Sequence, residues 1–339
     1  MIEQKLKIKN YKKTKNEVLI IAEIGINHLG NEKYCKKLII EANKSGADCV
    51  KLQIIDPEES YEKGTESFSL FEKYRLSYES LMRIRDFCKK KNILLFATPG
   101  DLHSLDIIKK LKFPLVKISS GLNTNKYLIS EVIKLKLPLI ISLGMSSEIE
   151  TKKLYKYVKA KSNNFALLKC TSIYPSNDNN LNINSIKKLK EIFNCTIGYS
   201  DHSIDDLAIL TAVSNGASIV EKHFTTNKNL KVADHKISME PKEFKSMVKK
   251  IRRIEKILGK ENNFLCKKEK INKKKFQRIL FSSNEILENE ILKIDKIFFK
   301  RPIKRAKYDI TADKYENYIG KKVIKKINKN KKIKSNFLD

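Results

Sequence analysis

The chain has 339 residues, enough for one large α/β unit and a smaller partner, and 70 Lys and Arg against 39 Asp and Glu give a formal net charge of +31. The lysines run through nearly every predicted helix, Trp is absent, and no apolar run approaches membrane-spanning length. The charge therefore reads as a general positive field that favours anionic small molecules, with no nucleic acid and no membrane as partner. Six cysteines (Cys35, Cys49, Cys88, Cys170, Cys195 and Cys266) form no C-x-x-C pair and read as buried thiols of a reducing compartment. The start, Met1 to Lys7, has no signal-peptide core, so the expected location is cytoplasmic.

After a polar start that could form a hairpin, Val18-Leu19-Ile20-Ile21-Ala22 reads as a strand buried on both faces, running into Glu23-Ile24-Gly25-Ile26-Asn27-His28. A helix is predicted over 32–44, stopped by Ser45-Gly46, and Asp48-Cys49-Val50-Lys51-Leu52-Gln53 is the second strand. The alternation continues with helix 77–91, strand 93–97, helix 102–112, strand 115–118, helix 125–135, strand 138–142, helix 147–160 and strand 165–170. Next come Ile197-Gly198-Tyr199-Ser200-Asp201-His202-Ser203, a helix over 205–213 closed by Asn215-Gly216, Val220-Glu221-Lys222-His223-Phe224, and a final helix over 240–258. These make about eight βα repeats in about 260 residues, the size of a (β/α)8 TIM barrel. A doubly wound open sheet is the alternative.

Residues 261–277, rich in Lys, Asn and Glu, read as a linker between a barrel domain of residues 1–260 and a β-rich domain of residues 278–339. Short strands are expected there at 279–281, 285–290, 297–302 and 318–323, and the lysine-rich run 321–334 reads as a solvated surface. A unit of that size folds alone only marginally, so docking on the barrel or on a second subunit is expected.

In a parallel barrel the chemistry sits at the carboxyl ends of the strands. Collecting those ends brings Glu23, Lys51, Gln53, Thr98, Lys117, Ser120, Ser142, Tyr174, Ser200, His202, His223 and Asp234 to one mouth. Two lysines with several hydroxyls suit a phosphate and a carboxylate, as point charges and short orienting donors. Two neutral imidazoles on consecutive strands offer part of a divalent-metal site with positions open for water and a substrate oxygen. Glu23 is placed to move protons. Taken singly, each residue has a plainer reading: a Ser or Thr as a helix cap, a Lys as a solvated end, a His as a hydrogen-bonded polar residue. Their joint occurrence at successive strand ends is what points to a site.

The stretches Ala22-Glu23-Ile24-Gly25-Ile26-Asn27-His28, Lys51-Leu52-Gln53, Lys117-Ile118-Ser119-Ser120-Gly121, Cys170-Thr171-Ser172-Ile173-Tyr174-Pro175, Gly198-Tyr199-Ser200-Asp201-His202 and Glu221-Lys222-His223-Phe224 resemble the sialic acid synthase family. The tail, with Lys300-Arg301-Pro302 and Tyr318-Ile319-Gly320-Lys321-Lys322, resembles the antifreeze-like (SAF, β-clip) domain that follows the barrel in that family. The resemblance implies condensation of phosphoenolpyruvate with an N-acetylated hexosamine, giving a nine-carbon keto-sugar acid of the N-acetylneuraminate, legionaminate or pseudaminate type and phosphate, with a Mn2+ or Mg2+ ion. It implies His202 and His223 as metal ligands and Glu23 in proton transfer. It further implies Lys51, Thr98, Lys117, Ser120, Ser142 and Ser200 around phosphoenolpyruvate, and Gln53, Tyr174 and Asp234 on the sugar. It also implies a homodimer with exchanged C-terminal domains, in which Arg301 caps the neighbouring subunit's site; a plain surface arginine is the other reading.

Departures from the family pattern fall on the sugar side. Leu122 stands where the family usually has an acidic residue, Leu143 where it has Thr, and Ser172 where some members have Asn. The segment 57–74 is short for a loop that closes over sugar, and Ile303-Lys304-Arg305-Ala306 replaces a Gly-containing loop. Two other readings therefore stand beside the synthase: a related barrel enzyme acting on a phosphorylated aldose, and a non-catalytic sugar-binding or scaffold protein derived from a synthase.

Overall fold

Strand β1 (Leu19–Gly25) is buried along its whole length, as a Leu-Ile-Ile-Ala run requires when both faces of a strand meet apolar neighbours. In the computed structural model, which describes residues 6–8, 17–232, 234–259 and 264–339, seven more strands are buried along all or nearly all of their length. They are β2 (Cys49–Ile54), β3 (Leu94–Pro99), β4 (Val116–Ile118), β5 (Leu139–Ser142), β6 (Phe165–Cys170), β7 (Thr196–Asp201) and β8 (Ile219–His223). All pair in parallel in chain order, and β1 pairs with β8 from Leu19↔Ile219 to Glu23↔His223, so the sheet is a closed eight-stranded barrel and not an open one. Most of the polar start lies outside the described residues. Among those described, no helix is long and apolar enough to cross a membrane.

Helices connect the strands close to where the 3.6-residue periodicity places them: Glu32–Lys44, Tyr78–Lys90, Leu102–Lys110, Lys126–Lys134, Glu148–Lys159, Leu207–Ser214 and Pro241–Leu258. Local chemistry sets their ends. Asn31 caps the first by accepting from the Tyr34 amide, and Ser147 with Glu150 forms a capping box on the fifth. The segment 57–74 contains two short helices, Pro57–Ser60 and Glu66–Tyr74, and a further helix, Ser185–Ile192, precedes β7.

Two apolar clusters form the barrel's core. Outward-facing strand residues pack under the helices, while Leu19, Ile21, Cys49, Phe96, Leu115, Ile140, Ala166, Leu168 and Ile219 fill the interior. That filling is tight at β7: a Cβ on Gly198 would lie 2.5 Å from Leu168 Cδ2 and 2.6 Å from the Ile219 carbonyl oxygen, so only glycine fits there. Above this plug the same inward positions turn polar.

The chain divides into two compact units, Met1–Leu258 and Gly259–Asp339. In the second, β9 (Ile279–Ser282) pairs antiparallel with β10 (Ile297–Lys300) over a core that includes Leu280, Ile286, Leu292, Val323, Ile327 and Ile333. The strands expected at 285–290 and 318–323 are reduced to isolated bridges, among them Ile286↔Ile327 and Ile291↔Lys322. The chain turns there at Asn289 (φ 70°) and Gly320 (φ 85°), which leaves no room for a ladder. Residues 261–263 of the expected linker lie outside the described residues, and part of the rest is a helix, Lys267–Phe276, with no buried residue. Lys and Glu are good helix formers, and Cys266 with Glu269 caps the start, so this helix stands on propensity and capping without an apolar stripe. Five of the six cysteines are buried, but Cys266 is exposed, contrary to the expectation that all are buried.

Candidate active site

A strand alternates its side chains, so the register that sends Ile21, Cys49, Phe96, Leu115, Ile140, Leu168 and Ile219 into the interior sends the residue two positions on to the same face. The next layer up is therefore Glu23, Lys51, Thr98, Lys117, Ser142, Cys170 and Glu221, joined by Ser200 from β7, and every one of these side chains is buried. Lys51 Nζ pairs with Glu23, lies 3.8 Å from Glu221 Oε2, and donates to Thr98 Oγ1 at 3.3 Å. Lys117 Nζ pairs with Glu221 Oε1, which also accepts from Ser200 Oγ at 3.0 Å.

The two carboxyls of this layer are pushed in opposite directions. Burial raises the Glu23 pKa to about 7 against the pull of Lys51, whereas at Glu221 the effect of burial is outweighed by the Lys117 and Lys51 ammonium groups, which hold it down to about 2. Burial works against the charge on both lysines. At Lys51 the carboxylates of Glu221 and Glu23 overcome it and the pKa is raised; at Lys117 burial prevails and the pKa is lowered. Near neutral pH the layer thus holds one firm anion, Glu221, and one carboxyl poised to exchange a proton, Glu23, beside the two lysines.

Beside it, the hydroxyls of Ser120 and Ser172 converge over Gly144. The Gly144 amide donates to Ser120 Oγ at 3.1 Å, and a Cβ on Gly144 would come within 2.5 Å of that oxygen and 2.2 Å of Ser172 Oγ. Asn123 pins the end of β5 by donating to the carbonyls of Ser142 at 3.1 Å and Gly144 at 3.2 Å. Ser142 Oγ and Ser172 Oγ are buried with no hydrogen-bond partner among the described residues. A hydroxyl left open in a buried site is free to bind something that enters from outside.

Just beyond this layer the two imidazole rings lie 5.6 Å apart between centroids. His202 Nδ1 faces the Thr171 carbonyl oxygen at 2.8 Å and so carries the proton, leaving Nε2 with its lone pair in the neutral ring. Tyr174 stacks on the same ring at 4.0 Å. His223 is buried, its Nδ1 has no hydrogen-bond partner among the described residues, and Asp234 Oδ2 is 3.6 Å from it. Burial, reinforced by His202, lowers the His223 pKa well below the usual imidazole range. At His202 burial is outweighed by Cys170, whose Sγ lies 3.8 Å away, and the pKa is raised. Among the described residues no group of three or more His, Cys, Asp or Glu is arranged to hold a metal. What the chain offers is a pair of imidazoles, one with a buried unpartnered nitrogen; such a donor set fits a divalent ion that takes its remaining ligands from water and substrate.

Comparison with known proteins assigns the family. The NeuB family pattern matches residues 38–263. The chain belongs to the NeuB, or sialic acid synthase, family. It is 39% identical to an uncharacterized protein of Methanocaldococcus jannaschii, over 88% of this chain and 89% of that one. It is 34% identical to the N,N'-diacetyllegionaminic acid synthase of Campylobacter jejuni, over 90% of this chain and 95% of the relative. The crystal structure of the N-acetylneuraminic acid synthetase of Leptospira borgpetersenii in complex with citrate superposes with a TM-score of 0.76 at 34% identity, covering 80% of this chain and 95% of that one.

In this NeuB-family chain the structure brings Glu23, Lys51, Thr98, Lys117, Ser142, Ser200, His202 and His223 together at the carboxyl ends of the strands. Ser120 opens a short 3-10 turn after β4, Gln53 follows Lys51 on the inward face of β2, and Tyr174 lies over His202 with half its surface exposed. Asp234 is held by the loop beyond β8, its amide donating to Asn27 Oδ1 at 3.2 Å. Arg301 belongs to the second unit, where it donates to the Lys275 carbonyl at 3.2 Å and lies 4.0 Å from the Phe276 ring centroid. Leu122 is partly buried and packs against the outer core. The sequence reading missed Glu221, the carboxylate shared by both lysines. Its signal was available: if His223 points inward, period two requires Glu221 to do so as well.

Proposed function

We propose that this NeuB-family chain condenses phosphoenolpyruvate with an N-acetylated hexosamine, either N-acetylmannosamine or a diacetamido-trideoxyhexose, to a nine-carbon keto-sugar acid. The observation that supports this most is the inner polar layer, in which two lysines face one firmly ionised glutamate and so keep positive charge in reserve for an incoming phosphate and carboxylate. Lys51, Lys117, Thr98, Ser120, Ser142 and Ser200 bind phosphoenolpyruvate. Gln53, Tyr174 and Asp234, farther up the mouth, contact the sugar. The methylene carbon forms a bond to the sugar aldehyde carbon, whose oxygen gains a proton. Water then adds to the resulting cationic carbon and loses a proton, and cleavage of the carbon–oxygen bond releases phosphate. Glu23, with its pKa raised by burial to about 7, is suited to carry a proton in either direction. His202 and His223 would hold a divalent ion, Mn2+ or Mg2+, which when bound supplies Lewis-acid polarisation of the aldehyde.

We read residues 278–339 as an SAF domain exchanged within a homodimer, with Arg301 reaching the partner's site, and the chain as a cytoplasmic enzyme. The test is to incubate the purified chain with phosphoenolpyruvate, Mn2+ and each candidate hexosamine, following phosphate release and product mass. Release with one sugar and a product of the condensed mass is expected; no release with any sugar would sink the proposal. A second reading, a non-catalytic sugar binder, is favoured by one observation: Leu122 packs against the core where a carboxylate would meet sugar hydroxyls. Sugar binding without phosphate release would select it.

A further inference from the structure

The motifs Ser200-Asp201-His202-Ser203 and Glu221-Lys222-His223 each carry a charged residue directly before the histidine, and alternation turns that residue to the outside of the barrel wall. There the two meet. Asp201 and Lys222 are register partners across β7 and β8, both side chains are fully buried, and Lys222 Nζ donates to Asp201 Oδ2 at 2.5 Å. The pair is tied further into the wall. Asp201 also accepts from Tyr199 Oη at 3.0 Å, from the Ser203 amide at 3.1 Å and from Ser203 Oγ at 2.8 Å, and Lys222 donates in addition to the Ser203 carbonyl.

We propose that this outer pair is a positioning device for the two imidazoles, fixing the spacing at which His202 and His223 face the mouth. β7 ends at Asp201, so His202 lies just beyond its strand, but the residues on both sides of it, Asp201 and Ser203, are tied to Lys222. Lys222 in turn immediately precedes His223 on β8. One ammonium group therefore connects the backbone flanking one imidazole to the residue beside the other, from the outer face of the wall. Desolvation makes a buried ion pair a poor source of stability relative to apolar residues of similar size. A network this complete is accordingly better explained by the geometry it imposes than by the stability it adds.

The inference rests on the two-imidazole metal site proposed above, and the experiment separates the two. Co2+ binding to the full chain is followed by calorimetry and by the visible absorption of the bound ion, for the wild type and for His202→Ala, Asp201→Asn and the apolar double variant Asp201→Leu with Lys222→Met. Thermal melts are recorded alongside. The expected result is a folded double variant that binds Co2+ at least tenfold more weakly than the wild type with an altered spectrum, and Asp201→Asn between the two. Folded variants with wild-type affinity and spectrum would overturn the positioning role while leaving the metal site intact. Failure of both the double variant and Asp201→Asn to fold would assign the pair to fold stability alone and overturn it too. A wild type that binds no Co2+, or binds it as well without the His202 imidazole, would remove the metal site itself and this inference with it.

Discussion

The barrel wall carries buried charge on both faces near β7 and β8, and the two clusters differ in how far they are closed. On the outer face, Tyr199, Asp201, Ser203 and Lys222 satisfy one another. On the inner face, Glu23 Oε1, Ser142 Oγ, Glu221 Oε2 and His223 Nδ1 are buried without a hydrogen-bond partner among the described residues. Leaving polar atoms open in a buried site costs free energy. The closed cluster is finished as protein structure; the open one is finished only when something binds.

The largest effect that would break this contrast lies on the closed side. Lys222→Ala leaves the Asp201 carboxylate buried and unpaired, so urea unfolding should show a loss of about 3–5 kcal/mol. A loss under about 1 kcal/mol would mean that the outer cluster is not closed in the sense argued. Next comes Glu23, whose carboxyl titrates near 7 in the fold against a reference of 4.5. Its protonated form is favoured by the fold, so its contribution to stability is fully present below the reference value and is lost as pH rises through about 7. Relative to Glu23→Gln, which stays neutral, the wild type should therefore lose on the order of 2–3 kcal/mol between pH 5 and pH 8. Parallel stability profiles for the two proteins would show that Glu23 is not held in this way. The smallest effect on stability is on the open side: Ser142→Ala removes a hydroxyl with no partner and should change unfolding free energy by less than about 0.5 kcal/mol. Its KM for phosphoenolpyruvate should nevertheless rise about tenfold, the loss of one hydrogen bond to a charged group. An unchanged KM would place Ser142 outside the binding layer.

The barrel and the open cluster were legible in the chain because both rest on short-range rules. Short, largely buried strands of three to seven residues build the barrel, and Lys51, Lys117, His202 and His223 follow their apolar starts, inside or just beyond the strands. Glu221 was overlooked although its inward aim follows from the position of His223. The closed cluster was not legible: Asp201 and Lys222 are 21 residues apart, and only the β7–β8 register brings them together. The second unit was harder for a related reason. Its helix Lys267–Phe276 buries nothing, so it leaves no periodic trace, and its single bridges depend on turns that carry little apolar pattern.

The most direct measurement is a crystal structure of the full chain grown with phosphoenolpyruvate and Mn2+. The account predicts density for the phosphate between the Lys51 and Lys117 ammonium groups and an anomalous Mn2+ peak shared by the His202 and His223 rings, with the Asp201–Lys222 pair unmoved behind them. Phosphoenolpyruvate bound away from both lysines, or a metal that touches neither ring, would contradict it.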